Sequence, residues 1–457
     1  MFKQIKRLFV CMLALIMFCM FISGISAAWA DDDDDDDDDT GAVYNSEAAI
    51  AKLLKVPHGT DVTGLFFTFN VEETRTFREV VGWRDSNPQD PEVDGIPGTF
   101  EITFEAGDTG ATGTDGITTI IKETADIFEE AIWPHAGMFV FEITEDAAAS
   151  YRANTTPPPT EVLTYSPATY ILTAYVQEQN DSPGEYYVFA IGDVIEVKDY
   201  EEQTKGAKVD PTPGGGGDYE HSQMTFTNTY LKTNGGTDPK VPGHRTLAIS
   251  KEVGGDYGDK TAYFDFSLTL TVPALVSPIP AFYRAYVLEE VDVSGTPTLS
   301  VVTSTSNAAG ALIDTDTSGA FIKVSVSVPT VFKLKHGQQL VFIDTPVGTR
   351  YTLDETGVAG YTPSVVVTYD GTQKTPGYEG ALSGNLSIPQ SGYNVHGGNL
   401  YVGEGVNRAD VTNTRKAVTP TGLNLNDLPF YVMILLALSA LAAFIAAKSR
   451  KRKRYSS

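Results

Sequence analysis

Between its two ends the chain alternates apolar and polar residues with a period of two. Phe66-Phe67-Thr68-Phe69-Asn70-Val71, Phe139-Val140-Phe141-Glu142-Ile143, Tyr263-Phe264-Asp265-Phe266-Ser267-Leu268 and Ile322-Lys323-Val324-Ser325-Val326-Ser327-Val328 are examples, set apart by Gly, Pro and Asp turns. Such runs mark strands in which residues two apart share a face. Helical periodicity is scarce: outside the ends, only Ile120 to Ile132 predicts a short helix. The pattern predicts an all-β middle of two tandem β-sandwiches, residues 45–231 and 244–416. A linker of Gly, Pro, Asn and Asp composition, 232–243, separates them, and a Pro- and Gly-rich loop from Asp210 to Gly217 precedes the last strand of the first unit.

The ends carry addresses. Lys3, Lys6 and Arg7 precede an apolar run from Leu8 to Ile25, and Ala28-Trp29-Ala30 supplies the small residues of a cleavage site, so residues 1–30 read as a secretory signal peptide. At the other end Pro429 to Ala447 is nearly continuous apolar sequence, long enough for a transmembrane helix. Lys448, Arg450, Lys451, Arg452, Lys453 and Arg454 follow it, which by the positive-inside rule places the tail in the cytoplasm and the middle outside the cell.

Composition changes meaning once the ends are set aside. The 457 residues hold 33 basic and 59 acidic side chains, a net charge of −26. Without residues 1–30 and 422–457 the exported piece keeps 24 basic and 58 acidic residues, a net charge of −34. Nucleic acid is a poor partner for such a chain. Nine of the acids form the run Asp31 to Asp39, within a segment, 31–44, that reads as solvated and disordered. Both cysteines, Cys11 and Cys19, lie in the signal peptide, so the exported piece has no disulfide and no thiolate chemistry. The six histidines show no metal spacing. Asp314-Thr315-Asp316-Thr317-Ser318-Gly319 imitates the start of a calcium loop, but Ser325 stands at its twelfth position, and the segment reads as a turn. No cofactor or metal is expected, and no nucleophile elbow or phosphate loop is present.

Charges within the apolar stripes are more informative. Ile50, Lys52, Leu54 and Val56 share a face, as do Phe139, Phe141, Ile143 and Glu145, and Met224, Phe226, Asn228 and Tyr230. The second unit repeats this with Leu247, Ile249, Lys251 and Val253, then Tyr351, Leu353 and Glu355, then Val411 and Asn413. A buried lysine or carboxyl without a partner is costly. Lys, Glu and Asn recur in the same order at the first, a late and the last strand of both units. Burial lowers a lysine pKa and raises that of a carboxyl, so a neutral amine can attack a carboxamide while a protonated glutamate polarises it. The product is an intramolecular isopeptide bond, made in a single turnover; the protein is not expected to be an enzyme.

Two resemblances add to this reading. Val418-Thr419-Pro420-Thr421-Gly422, spacer, apolar span and basic tail together resemble the cell-wall sorting signal of Gram-positive surface proteins, over 418–457. That resemblance implies cleavage between Thr421 and Gly422 by a sortase, transient anchoring by helix 429–447, and attachment of Thr421 to an amine of peptidoglycan or of a neighbouring pilin subunit. Lys52-x-Leu54-x-x-Pro57-x-Gly59, Phe67-Thr68-Phe69, Pro134 to Glu145 and Thr225-Phe226-Thr227-Asn228-Thr229 resemble the streptococcal pilin isopeptide-linkage domain. Ile249-Ser250-Lys251-Glu252-Val253, Phe264 to Leu268, Leu334-Lys335-His336-Gly337, Pro346 to Glu355 and Val411-Thr412-Asn413-Thr414 resemble the C-terminal pilin domain and the collagen-adhesin B-type modules. The resemblance implies two tandem immunoglobulin-like sandwiches with bonds from Lys52 to Asn228, helped by Glu145, and from Lys251 to Asn413, helped by Glu355. Lys55 competes in the first unit but falls on the opposite face.

The expected function is a structural cell-surface protein, a pilus subunit. Lys208 is favoured as the lysine that accepts the next subunit, with Lys205 and Lys240 as alternatives. The competing expectation is a monomeric wall-anchored adhesin that binds a host or matrix ligand through loops, for which the insertions at 271–330 and 370–400 offer surface.

Overall fold

The computed structural model describes residues 46–74, 92–180, 182–199, 203–214, 220–374, 377–390, 396–416 and 428–454. The signal peptide, the poly-aspartate run and the Thr421-Gly422 cleavage site lie outside the described residues. Among the described residues the fold is all-β, with one long apolar helix at the C-terminal end.

In the first sandwich one sheet runs, in spatial order, Ala111–Thr112, Ile117–Glu123, Ala51–Pro57, Thr225–Thr233, Thr160–Thr164. The facing sheet runs Lys208–Val209, Tyr186–Val197, Thr169–Glu178, Gly137–Asp146, Phe66–Glu73, Thr99–Thr103. The inward residues of both sheets, among them Ile50, Leu54, Phe67, Phe69, Phe139, Phe141, Tyr170 and Phe226, form one continuous core.

The second sandwich is larger. Its main sheet runs Ile313–Asp316, Gly319–Ser325, Phe282–Val293, Gln339–Phe342, Leu247–Gly254, Arg408–Thr414, Thr362–Tyr369, Thr372–Gln373, with Thr296–Val301 and Tyr378–Glu379 joined at the sides. The facing sheet holds Thr330–Leu334, Phe264–Thr271, Arg350–Glu355 and Leu386–Ile388, with Leu400–Tyr401 beside Arg350–Glu355. A second core, including Leu247, Ile249, Phe264, Phe266, Leu353 and Val411, fills the space between.

In both sandwiches the first and last strands are parallel neighbours inside one sheet, and the register is the same. Lys52 faces Phe226, two residues before Asn228, and Lys251 faces Val411, two residues before Asn413. Residues two apart lie on one face, so each lysine shares its asparagine's side of the sheet.

Three expectations need correction or refinement. Ile120 to Ile132 forms no helix: the strand Ile117–Glu123 takes its first part, paired with Ala51–Pro57, and a turn follows at Ile127 to Glu130. The β-branched Ile117, Ile120 and Ile121 fit that sheet better than a helix. The linker begins later than its composition implied, because Lys232 and Thr233 continue the last strand of the first sandwich. The insertion at 271–330 is largely strand rather than loop, extending the main sheet of the second sandwich. Asp314 to Gly319 is a hairpin turn, with Asp316 facing Gly319. Its carboxylates meet cations, Asp314 with Lys323 at 2.8 Å and Asp316 with Arg284 at 3.0 Å.

The two sandwiches touch around Glu404. Its Oε2 lies 2.6 Å from Lys232 Nζ, its Oε1 accepts the Asp61 N–H at 2.8 Å, and its carbonyl accepts Asn234 Nδ2 at 2.7 Å. Gly235 follows, where a Cβ would stand 1.6 Å from the Ile343 carbonyl oxygen, so no other residue lets the linker approach so closely. Pro429–Lys448, within the C-terminal helix Leu428–Arg454, is long and apolar enough to cross a membrane and is not buried against the rest of the chain.

Glu404 carries a testable consequence. Glu404→Ala removes a partly exposed ion pair and a hydrogen bond, and is expected to weaken the junction by ~1–2 kcal/mol. Spin labels placed one on each sandwich would report this as a broader distance distribution; an unchanged distribution counts against the contact as the clasp.

Candidate functional site: two buried Lys-Glu-Asn groups

Each sandwich encloses a lysine, a glutamate and an asparagine that cross from one sheet to the other. Lys52 and Asn228 stand on the sheet of the first and last strands, and Glu145 comes from the facing sheet, opposite Phe69. Lys251 and Asn413 are placed alike, with Glu355 opposite Phe266. The alternation that packs Ile50 and Leu54, or Ile249 and Val253, into the cores carries the lysine between them inward as well. Lys52, Asn228 and Lys251 are wholly buried, Asn413 and Glu355 nearly so, and the Glu145 side chain has no solvent exposure.

The glutamate is the bridge in both groups. Lys52 Nζ lies 2.9 Å from Glu145 Oε2, and Asn228 Nδ2 donates to Glu145 Oε1 at 2.5 Å. Lys251 Nζ lies 2.6 Å from Glu355 Oε1, and Asn413 Nδ2 donates to the same oxygen at 2.9 Å. Aromatic faces close each ammonium off from water. Lys52 Nζ stands 4.4 Å from the Phe67 ring centre and 5.7 Å from that of Phe69. Lys251 Nζ stands 4.3 Å and 5.5 Å from those of Phe264 and Phe266.

Burial dominates the titration. It pulls both lysines down to about 8 against the attraction of their glutamates, and it raises the Glu355 carboxyl. An ion pair stripped of water gains by passing its proton from ammonium to carboxylate. In the second group burial thus favours a neutral amine and a carboxylic acid beside a carboxamide, the set of groups that amide exchange requires.

The other predicted residues are elsewhere. Lys55 sits on the opposite face of its strand and is only half-buried. Lys208 is exposed on a short edge strand, Lys205 is paired with Glu196 at 2.5 Å, and Lys240 lies 3.9 Å from Asp238. Nothing in their placement selects one of the three. Among the described residues no cluster of His, Cys, Asp or Glu could hold a metal.

Residues 245–415 match a family model described as a domain of unknown function (DUF7601). No curated protein matches the chain. Among solved structures, the chain is similar to the major pilin from Streptococcus pyogenes at 16% identity, over 81% of this chain and 99% of that one, with a TM-score of 0.27. It is similar to another S. pyogenes major pilin (T3.2) at 17% identity, over 82% and 100%, with a TM-score of 0.27. A pilus-presented adhesin aligns at 10% identity over 81% and 99%, with a TM-score of 0.21.

Sequence reasoning left out two parts of the site. Phe67, Phe69, Phe264 and Phe266 cap the lysines, and their signal, a Phe-x-Phe on the second strand of each unit, was present without a role. Ser166 and Asp199, whose contacts reach Asn228 and its strand, lie between strands, where no periodicity marks them.

The lowered lysine pKa gives a pH signature. In Asn413→Ala, which offers Lys251 no carboxamide, burial on folding leaves the amine at about 8, against an ordinary lysine value of 10.5. Between those values the unfolded chain binds the extra proton, so stability rises with pH across that window and stays low below it. Denaturant titrations from pH 7 to the upper end of the window should show the rise; a flat profile would mean that Lys251 does not titrate from a buried position.

Proposed function

We propose that the chain is a structural cell-surface protein, a pilus subunit stapled by autocatalytic isopeptide bonds from Lys52 to Asn228 and from Lys251 to Asn413. After export, a sortase joins it through Thr421 to the wall or to the next subunit. The observation that carries the reading is duplication: the same three residue types, at the same strand register and with the same aromatic cap, occupy both cores.

The chemistry balances without a cofactor. The lysine ammonium passes a proton to the glutamate, and the neutral Nζ attacks the asparagine Cγ. The glutamate gives that proton to the departing Nδ2 and takes up the second proton that Nζ must lose; the Cγ–Nδ2 bond breaks, and ammonia leaves as the Nζ–Cγ amide forms. Burial between two sheets holds the reactants together, so proximity supplies most of the rate. Each bond ties parallel first and last strands, and tension entering at one and leaving at the other passes through the bond rather than through the sheets. Treated as a long-loop crosslink, each adds up to roughly 5 kcal/mol.

A wall-anchored adhesin is the second reading. It is favoured by the hairpin of Phe282–Val293 and Thr296–Val301, whose outer half is largely exposed, as surface for a ligand.

Intact mass tests the bonds: the exported fragment should fall short of its sequence mass by two ammonias, and Glu145→Ala or Glu355→Ala should each restore one. An unmodified mass would sink the crosslink reading. A denaturing gel of wall extract separates pilus from adhesin, because a boiling-resistant ladder means polymer and a single band means a monomeric surface protein.

A further inference from the structure

The two Lys-Glu-Asn groups share their lysine, bridging glutamate and aromatic cap but differ in how the two carboxylate oxygens are used and at the asparagine carbonyl. Asn228 Oδ1 accepts the Ser166 backbone N–H at 2.7 Å, and the same N–H lies 3.2 Å from Glu145 Oε2. In the second sandwich Asn413 Oδ1 and Glu355 Oε2 are both buried, and neither has a hydrogen-bond partner among the described residues. Attack by the amine would turn the asparagine carbonyl oxygen into an oxyanion. A fixed N–H aimed at that oxygen in a dry site stabilises the charge as it develops.

The Ser166 N–H is held in place by other contacts. Ser166 is 8% exposed, and its hydroxyl donates a short hydrogen bond to Asp199 Oδ1. Asp199 Oδ2 accepts the N–H of Thr227, the neighbour of Asn228, at 2.8 Å. Asp199 is tied in turn through its own N–H to Gln203 Oε1 at 2.6 Å. Pro167 follows Ser166 and narrows its backbone to the extended region. The carboxylate thus clamps the loop that carries the donor to the strand that carries the reacting carbonyl.

Resting on the isopeptide reading, we propose that the Ser166 N–H is the oxyanion donor of the first site and Asp199 its positioning residue. The second site lacks this device and polarises Asn413 through a proton on Glu355 Oε2. Bond making and breaking are the same at both sites, amine and carboxamide giving amide and ammonia; what differs is the group that meets the negative charge on oxygen.

The experiment is cell-free synthesis of the full chain, quenched at intervals, with each crosslinked peptide quantified by mass spectrometry. The second site of each molecule is the internal control. Asp199→Ala and Ser166→Ala are expected to slow the Lys52–Asn228 bond roughly ten- to a hundred-fold through misplacement of the donor. Ser166→Thr, which keeps the hydroxyl, should restore the rate, and the Lys251–Asn413 rate should not change in any variant. A first-site rate equal to that of the unsubstituted chain in both alanine variants overturns the proposal, as does a failure of Ser166→Thr to rescue. Where limited proteolysis finds the first sandwich of Asp199→Ala unfolded, the Ser166→Ala and Ser166→Thr pair decides. Absence of ammonia loss at both sites of the unsubstituted chain would instead refute the isopeptide reading itself.

Discussion

The architecture of each sandwich turns on a lysine ammonium placed where water cannot reach it. Lys52 and Lys251 sit among Ile, Leu and Phe side chains, and each depends on one carboxyl group from the opposite sheet. Breaking a buried pair by removing one partner costs on the order of 3–5 kcal/mol. The sheets are therefore held in one relative position not only by apolar packing but by a polar bridge that works in a single geometry.

The parallel pairing of first and last strands gives that bridge its mechanical meaning. A hairpin would place the two strands side by side through local sequence, whereas here most of a domain intervenes before Asn228 or Asn413 returns to its lysine. The proposed crosslink between them would close the domain on itself and leave the intervening strands outside the load path. The stretch from Asn228 to Lys251, whose Lys232 and Asn234 meet Glu404, would then be the part through which force travels between the two sandwiches.

The halves are related but not copies. Both keep the lysine, the bridging carboxylate and the Phe-x-Phe cap, while the surroundings of the asparagine carbonyl diverge. In the proposed reaction the catalytic demand sits in the lysine–glutamate pair, which both retain. Stabilisation of the carbonyl oxygen can come from a backbone N–H or from the acid itself, and that tolerance leaves room for the sandwiches to differ.

The sequence by itself determined the all-β class, the two units and the inward faces, because a period of two admits only one side for Ile50, Lys52 and Leu54 or for Leu247, Ile249 and Lys251. Those stripes also marked the six Lys, Glu and Asn side chains that the cores enclose, since a charge or amide among apolar neighbours is visible without coordinates. The stretch Ile120 to Ile132 misled, because its spacing suits either period and pairing with Ala51–Pro57 settles it. Only the tertiary structure decided the common register of lysine and asparagine, the closure of each ammonium by phenylalanine rings, and the meeting of Lys232, Asn234 and Glu404 at the junction. Ser166 and Asp199 belong with these: they act through a backbone N–H and a loop carboxylate, and such groups acquire direction only when distant segments are folded against them.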